Sequence, residues 1–507
     1  MRDDGAPSFH FPANRGSYSV GLRVVELYDH SRSFRGQLDV LGHPSARERA
    51  RPLQTLIWYP AQATAARPMT VRDYAGLWAN EISFDHPRIP IKAKEWISGL
   101  EATLDTSLWA TRDAAEASGA FPVLIYAPSF SSMSWENADL CEYLASHGYV
   151  VLATASIGAA TRSMTLDLAG LNAQADDISF LIGYARTLAN ADLSNVAVAG
   201  FSWGGLANLF AASRDNRIHA LIALDGSLRF WPGMVRQGNI RPSQMTIPLL
   251  SFAKREWNLE EQARFLTAEQ LDGPNVLNAW THGDLIAVYM LKMTHRQFSS
   301  MAQRNEEFWS DSNDPDFADR QIAAYGREDA HIGYGWVARY TLEFLNAYLK
   351  QSAASMKFLS TPPKDNGVPK CCMDLTYRAA AGVPASCEGF RAEIGREGFD
   401  RCTDVHAAMA RHDAGFKLSE VYIDDWAEEL LDEQRCSEAL ALLRLNANIH
   451  PNSSHAHASL GRALRLSGQD QAAIESYRRA VQLNRANAEA KRVLRDLERD
   501  GGTLGSR

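Results

Sequence analysis

Three residues far apart in the chain have the types needed to break an acyl bond. Ser202 stands in Gly200-Phe201-Ser202-Trp203-Gly204, a G-x-S-x-G pattern. The apolar run 196–199 before it has strand composition, and apolar residues after it recur at helical spacing (Leu206, Leu209, Phe210). A serine between a strand and a helix must sit on a very tight turn. Side chains at 200 and 204 would collide there with neighbouring backbone, and glycine removes the clash. The turn lifts the hydroxyl clear of the sheet, beside the unpaired first N–H groups of the helix. A chance match in a glycine-bearing loop is the alternative, and the strand and helix flanks argue against it.

A serine hydroxyl is a poor nucleophile until a base takes its proton, and the base needs a group to orient it. His295, in K-M-T-H-R-Q-F, directly follows a predicted strand at 285–291. The chain has 14 histidines, most of them expected to be structural or exposed. The main rival is His331; His282 precedes a strand and falls on the wrong edge of the sheet. Asp225 ends a strand predicted over 220–224, in A-L-I-A-L-D-G-S, and is the preferred acid. Glu256, at the end of the next strand, is its rival, and a plain strand-end turn is the alternative reading of Asp225. The tetrahedral intermediate of acyl transfer needs two N–H donors. One is the amide of Trp203. The other is expected from Phe130, in the small-residue loop 127–132 after the strand predicted at 121–126.

Positioning these groups requires strands that alternate with helices. Strands are predicted at 18–28, 53–59, 121–126, 149–153, 196–199, 220–224, 248–253 and 285–291, and helices at 136–147, 172–188 and 336–349. The first two strands read as an antiparallel pair at a sheet edge, and the rest as a mostly parallel sheet with helices on both faces. In such sheets the site lies outside the carboxyl ends of the strands, where Ser202, Asp225 and His295 all fall. With 507 residues, two or three domains are expected. Residues 1–16 read as a loose arm, 17–352 as the α/β catalytic domain and 353–415 as a linker. Residues 416–500 read as a small all-α unit. Within it, 420–452 and 454–486 repeat with a period of 34, pairing Ala427 with Gly461, Leu430 with Leu464 and Ala439 with Ala473. That is the tetratricopeptide period. Two repeats are fewer than usually stand alone, so they are expected to lean on the helix-like stretch 399–411 or on the catalytic domain.

Composition excludes several classes. The net charge of −8 argues against a nucleic-acid partner. No run reaches the roughly 18 apolar residues of a membrane span. The opening Met-Arg-Asp-Asp-Gly shows no signal peptide, which reads as cytoplasmic, or as periplasmic or secreted if a signal was removed. Of six cysteines, Cys371, Cys372, Cys387 and Cys402 cluster in the linker, as free thiols or a disulfide; their spacing does not resemble a zinc site. No metal or organic cofactor is implied.

Four blocks together resemble the platelet-activating factor acetylhydrolase and dienelactone-hydrolase-like branch of the α/β-hydrolases. They are L-I-W-Y-P-A (56–61), P-V-L-I-Y-A-P-S-F-S with L-A-S-H-G-Y-V-V (144–151), G-F-S-W-G-G with A-L-I-A-L-D, and M-T-H-R-Q-F. The resemblance covers about residues 15–350 and implies the order Ser202, Asp225, His295. In the acetylhydrolases the acid likewise ends the strand after the nucleophile, here 23 positions on, and the oxyanion loop maps onto Phe130. Two departures stand out. Pro128-Ser129 replaces the usual His-Gly, and the nucleophile is serine where dienelactone hydrolases use cysteine. The implied activity is serine carboxylic-ester hydrolysis through an acyl-enzyme. Its substrate would be a small or lipid-like ester of short to medium acyl length, held by aromatic segments at 68–118 and 226–245. A peptidase of the same fold would need an acidic group for a free amine. A scaffold with an inert catalytic half would act through the repeats, which are also candidates for self-association.

Overall fold

The computed structural model describes residues 9–39, 41–45, 47–254, 258–261, 275–310, 326–413 and 415–504. The chain divides into two compact units, 1–381 and 382–507. The first is built on one ten-stranded sheet: β1 (Ser19–Ser33), β2 (Ala50–Ala61), β3 (Ala110–Arg112), β4 (Phe121–Ala127), β5 (Val150–Thr154), β6 (Ala191–Phe201), β7 (Ile218–Leu224), β8 (Leu249–Lys254), β9 (Leu285–Met290) and β10 (Met373–Arg378). The spatial order is β10-β9-β8-β7-β6-β4-β5-β2-β1-β3. From β5 to β9 all neighbours run parallel, and only the β1–β2, β2–β5 and β9–β10 pairs are antiparallel.

The parallel strands read as unbroken apolar runs because both of their faces are covered. Alternate residues point to opposite sides. Leu124 and Tyr126 of β4, with Ala197 and Ala199 of β6, join a core closed by the helices Ala138–Ser146 and Arg327–Tyr348. Val123, Ile125, Val196 and Val198 join a second core under the helices Leu168–Ala185 and Trp203–Ala212. The two-sided α/β architecture expected from the alternation is thus present, with a helical region after it.

Three boundaries differ from the sequence reading. The arm is docked from Phe9 onward: Phe9 is buried, its carbonyl accepts from Arg304, and the Gly16 N–H donates to the Ser146 hydroxyl at 2.9 Å. The β1–β2 pair is not the rim, because β3 adds in parallel to β1. The stretch 353–415 is not a plain connector. It carries a helix (Ala353–Ser360) and then β10, which covers the edge of β9 in unbroken register from Met373↔Met290 to Arg378↔Leu285. The short polar-apolar run M-D-L-T-Y-R hid this edge strand among Pro, Gly and Cys. All six cysteines are free thiols.

In the second unit, the helices Cys387–Glu397 and Cys402–His412 precede two helix pairs, Glu420–Asp432 with Cys436–Ile449 and Ser454–Leu466 with Asp470–Leu483, and a last helix, Ala488–Leu504. Equivalent helices begin 34 residues apart, at 420 and 454 and again at 436 and 470. A Cβ at Gly461 would stand 3.0 Å from the Tyr477 ring, which explains the glycine at 461. The pairs share one core with Phe390, Ile394, Val405 and Met409 of the preceding helices. Asn446, where a small residue is usual, is buried and donates to the Glu420 carbonyl at 3.1 Å.

Candidate active site

Ser202 follows β6 immediately and serves as N-cap of the helix Trp203–Ala212, with φ of 53° and ψ of −117°. A non-glycine residue pays for that conformation, on the order of 1–3 kcal/mol, and holds it only where its surroundings over-determine it. Here the Ser202 N–H donates to the Leu224 carbonyl at 3.0 Å, and the Ser202 carbonyl accepts from Gly205 and Ser227. The flanking glycines are required by space. A Cβ on Gly200 would lie 2.4 Å from the Gly204 carbonyl carbon, and one on Gly204 only 2.1 Å from the Ala127 carbonyl oxygen.

Asp225 follows β7 and is also left-handed, with φ of 44°. His295 opens the 3-10 turn His295–Phe298 after β9. That turn is closed by a capping box in which Thr294 and Gln297 bond reciprocally, and the ring leans on Phe201 at 4.9 Å. The His295 Nε2 lies 2.9 Å from the Ser202 Oγ, and its Nδ1 lies 2.5 Å from Asp225 Oδ2. The three groups expected to meet therefore do meet, in one hydrogen-bonded line. Trp203 is the first residue of its helix, so its N–H has no intrahelical acceptor. The Phe130 ring packs edge-on against the Trp203 ring, and Phe130 lines the cavity that holds Ser202.

Glu256 lies outside the described residues, whereas the Lys254 N–H at the end of β8 donates to Asp225 Oδ1 at 3.0 Å. His331 is wedged between Phe9 and Trp309; burial first, then Arg327, Arg304 and His10, push its pKa down to about 4. His282 precedes β9, at the opposite end of the strand from His295.

Two contributors escaped the sequence reading. Arg229 is buried one helical turn after Asp225 and donates to its Oδ1 at 2.8 Å. Burial by itself would raise the Asp225 carboxyl. The His295 imidazole, Arg229 and the Lys254 N–H outweigh it and hold the acid at about 2. The i, i+4 spacing of Asp225 and Arg229 was visible in the sequence, but nothing there marked Arg229 as buried. Glu136 lies beneath the Phe130 loop, and its carboxylate accepts from the Ser129 N–H at 2.9 Å and from the Ser129 hydroxyl.

The cavity beside Ser202 measures about 220 Å³. Trp96, Phe130, Met133, Phe201 and Phe308 give it an apolar wall, and Arg296 lies beside His295. Trp96 comes from the expected 68–118 segment, where it also packs against Trp78 and Trp135. None of the described lining comes from 226–245; residues after His295 take that place.

No protein-family model matches the sequence, and no curated protein matches it. Among solved structures, the chain is similar to a ferulic acid esterase from Streptomyces cinnamoneus. The TM-score is 0.51 and the identity 18%, over 73% of this chain and 99% of that one. At that identity the likeness concerns the fold alone, and the mostly parallel sheet with helices on both faces is consistent with an α/β-hydrolase fold.

Proposed function

We propose that the protein is a serine carboxylic-ester hydrolase working through an acyl-enzyme, with Ser202 as nucleophile, His295 as base and Asp225 as its orienting acid. The observation that carries this reading is the hydrogen-bonded line from Asp225 through His295 to Ser202, on a strained turn at the mouth of an apolar cavity. His295 takes the Ser202 proton as the oxygen attacks the acyl carbonyl. The Trp203 and Phe130 amides receive the oxyanion. The intermediate collapses with the proton passing from His295 to the leaving alcohol. Water, deprotonated by His295, then frees the acid and restores Ser202.

An ester is favoured over a peptide with a free amine because Glu136, the acidic group among the described residues lining the cavity, already has its carboxylate engaged by Ser129 and Tyr126. The acetylhydrolase-like branch and short to medium acyl chains remain the finer reading, supported by the four sequence blocks. The second unit reads as a tetratricopeptide-like pair offering a surface for a protein partner or a second copy, supported by the 34-residue step. The decisive experiment is p-nitrophenyl ester turnover with fluorophosphonate labelling. Ser202→Ala should lose label and about 10⁶-fold in kcat while keeping its melting temperature. Undiminished turnover would overturn the assignment.

A further inference from the structure

The loop carrying Phe130 departs from the family pattern at Pro128-Ser129, and it sits over an unusual support. Glu136 is buried at the edge of the cavity, with 4% of its surface exposed. One carboxylate oxygen accepts from the Ser129 N–H at 2.9 Å and from the Tyr126 hydroxyl at 3.2 Å, and the other accepts from the Ser129 hydroxyl. The Glu136 carbonyl accepts from the Ser299 hydroxyl at 3.0 Å and from the Met301 N–H at 3.3 Å. Its side chain thus holds the residue before Phe130, and its main chain holds the segment just after the His295 turn. Asn137 repeats the pattern, donating to the Phe298 carbonyl at 3.0 Å and to the Tyr126 hydroxyl at 2.6 Å. A buried carboxylate is expensive unless its oxygens are well satisfied. Leu or Met would fill this space without that cost.

The geometry points to Glu136 as a positioning residue. Its carboxylate fixes the Pro128–Ser129 peptide and the Ser129 side chain, and so sets where the next N–H along the chain, that of Phe130, meets the oxyanion formed above Ser202; its backbone ties that segment to the turn bearing His295. The inference rests on the proposed Ser202 reading. It also accounts for Ser129 where glycine is usual: Ser129 supplies two donors to the carboxylate where glycine would supply one. Charge itself is not required. A glutamine oxygen can take the Ser129 N–H while its amide donates to a reversed Ser129 hydroxyl.

The test compares Glu136→Leu, Glu136→Gln and Ser129→Ala with the wild type in the full-length protein. The readouts are kcat and KM on a p-nitrophenyl ester, inhibition by a trifluoromethyl ketone that mimics the oxyanion, and melting temperature. Glu136→Leu should lower kcat by about 10²-fold with little change in KM, and weaken ketone inhibition in parallel, since small misplacements at a reacting centre have that scale. Glu136→Gln should recover most of both losses. Ser129→Ala, which keeps the N–H bond, should cost about 5-fold in kcat, the scale of one neutral hydrogen bond; it decides the matter should Glu136→Leu fail to fold. Wild-type kcat and ketone affinity in Ser129→Ala or a folded Glu136→Leu would overturn the inference, as would a loss confined to KM. Glutamine performing as badly as leucine would also overturn it. Each of these outcomes leaves the Ser202 reading intact, whereas a wild-type protein that neither turns over esters nor takes the fluorophosphonate label would sink that reading itself.

Discussion

Asp225 carries a charge where water barely reaches, with 2% of its surface exposed. Its folded pKa of about 2 lies below the ordinary 3.8, so its contribution to stability is complete above pH 4 and is lost as the pH falls through 2. Arg229 is part of the cause. Arg229→Met should destabilise the fold by about 3–5 kcal/mol in urea, because it strands a buried charge. In the folded fraction, kcat should also fall, because Asp225 without its guanidinium partner orients His295 less firmly. His331 gives a second residue-scale prediction, with no bearing on turnover. Its folded pKa of about 4 is depressed from 6.5, so its stabilising contribution is present above pH 6.5 and drains away as the pH drops to 4. The melting temperature should fall over that window in the wild type and fall less in His331→Phe; equal slopes would contradict the assignment.

At the scale of elements, the junction of β6 with the helix Trp203–Ala212 is under steric compulsion. Gly204→Ala would drive a methyl into the Ala127 and Pro128 carbonyls, 2.1 and 2.7 Å away. Those carbonyls belong to the chain leading into the Phe130 loop. We expect about 3 kcal/mol or more of destabilisation, together with loss of fluorophosphonate labelling. Gly76 is the control: it has helical dihedrals, is exposed, and leaves open space for 4 Å around an added Cβ. Gly76→Ala should leave activity alone and stabilise by about 0.5–1 kcal/mol. Thermal melts of the two variants, read side by side, test whether space or backbone entropy governs each glycine.

For the whole molecule, the boundary after Ala381 has consequences. A chain ending at 352 would lack β10 and uncover the backbone edge of β9, an apolar L-I-A-V-Y-M run. Exposed apolar edges pair with other chains. That truncation should aggregate, while a chain ending at 381 should stay soluble and keep the ester turnover of the full protein. Light scattering and p-nitrophenyl ester assays of the two truncations provide the check; a soluble, active 1–352 would show that β10 is dispensable. The second unit, with its own core of Phe390, Trp426, Leu443 and Tyr477, should fold as residues 382–507 by circular dichroism.

Local chemistry determined much of this protein from its sequence alone. Glycines at 200 and 204 demand a tight turn, apolar runs demand a covered sheet, and strand ends place Ser202, Asp225 and His295 on one edge. Each of these follows from neighbours in the chain. The 34-residue helical step was legible for the same reason. Only the tertiary structure could decide what depends on residues distant in sequence meeting in space. It buried Arg229 against Asp225, slid Glu136 beneath Ser129, and walled the cavity with residues after His295 in place of 226–245. It also drew Met373–Arg378 onto a sheet edge more than 80 positions upstream. A polar side chain's burial and a strand's partner are properties of the closed fold, and no local pattern encodes them.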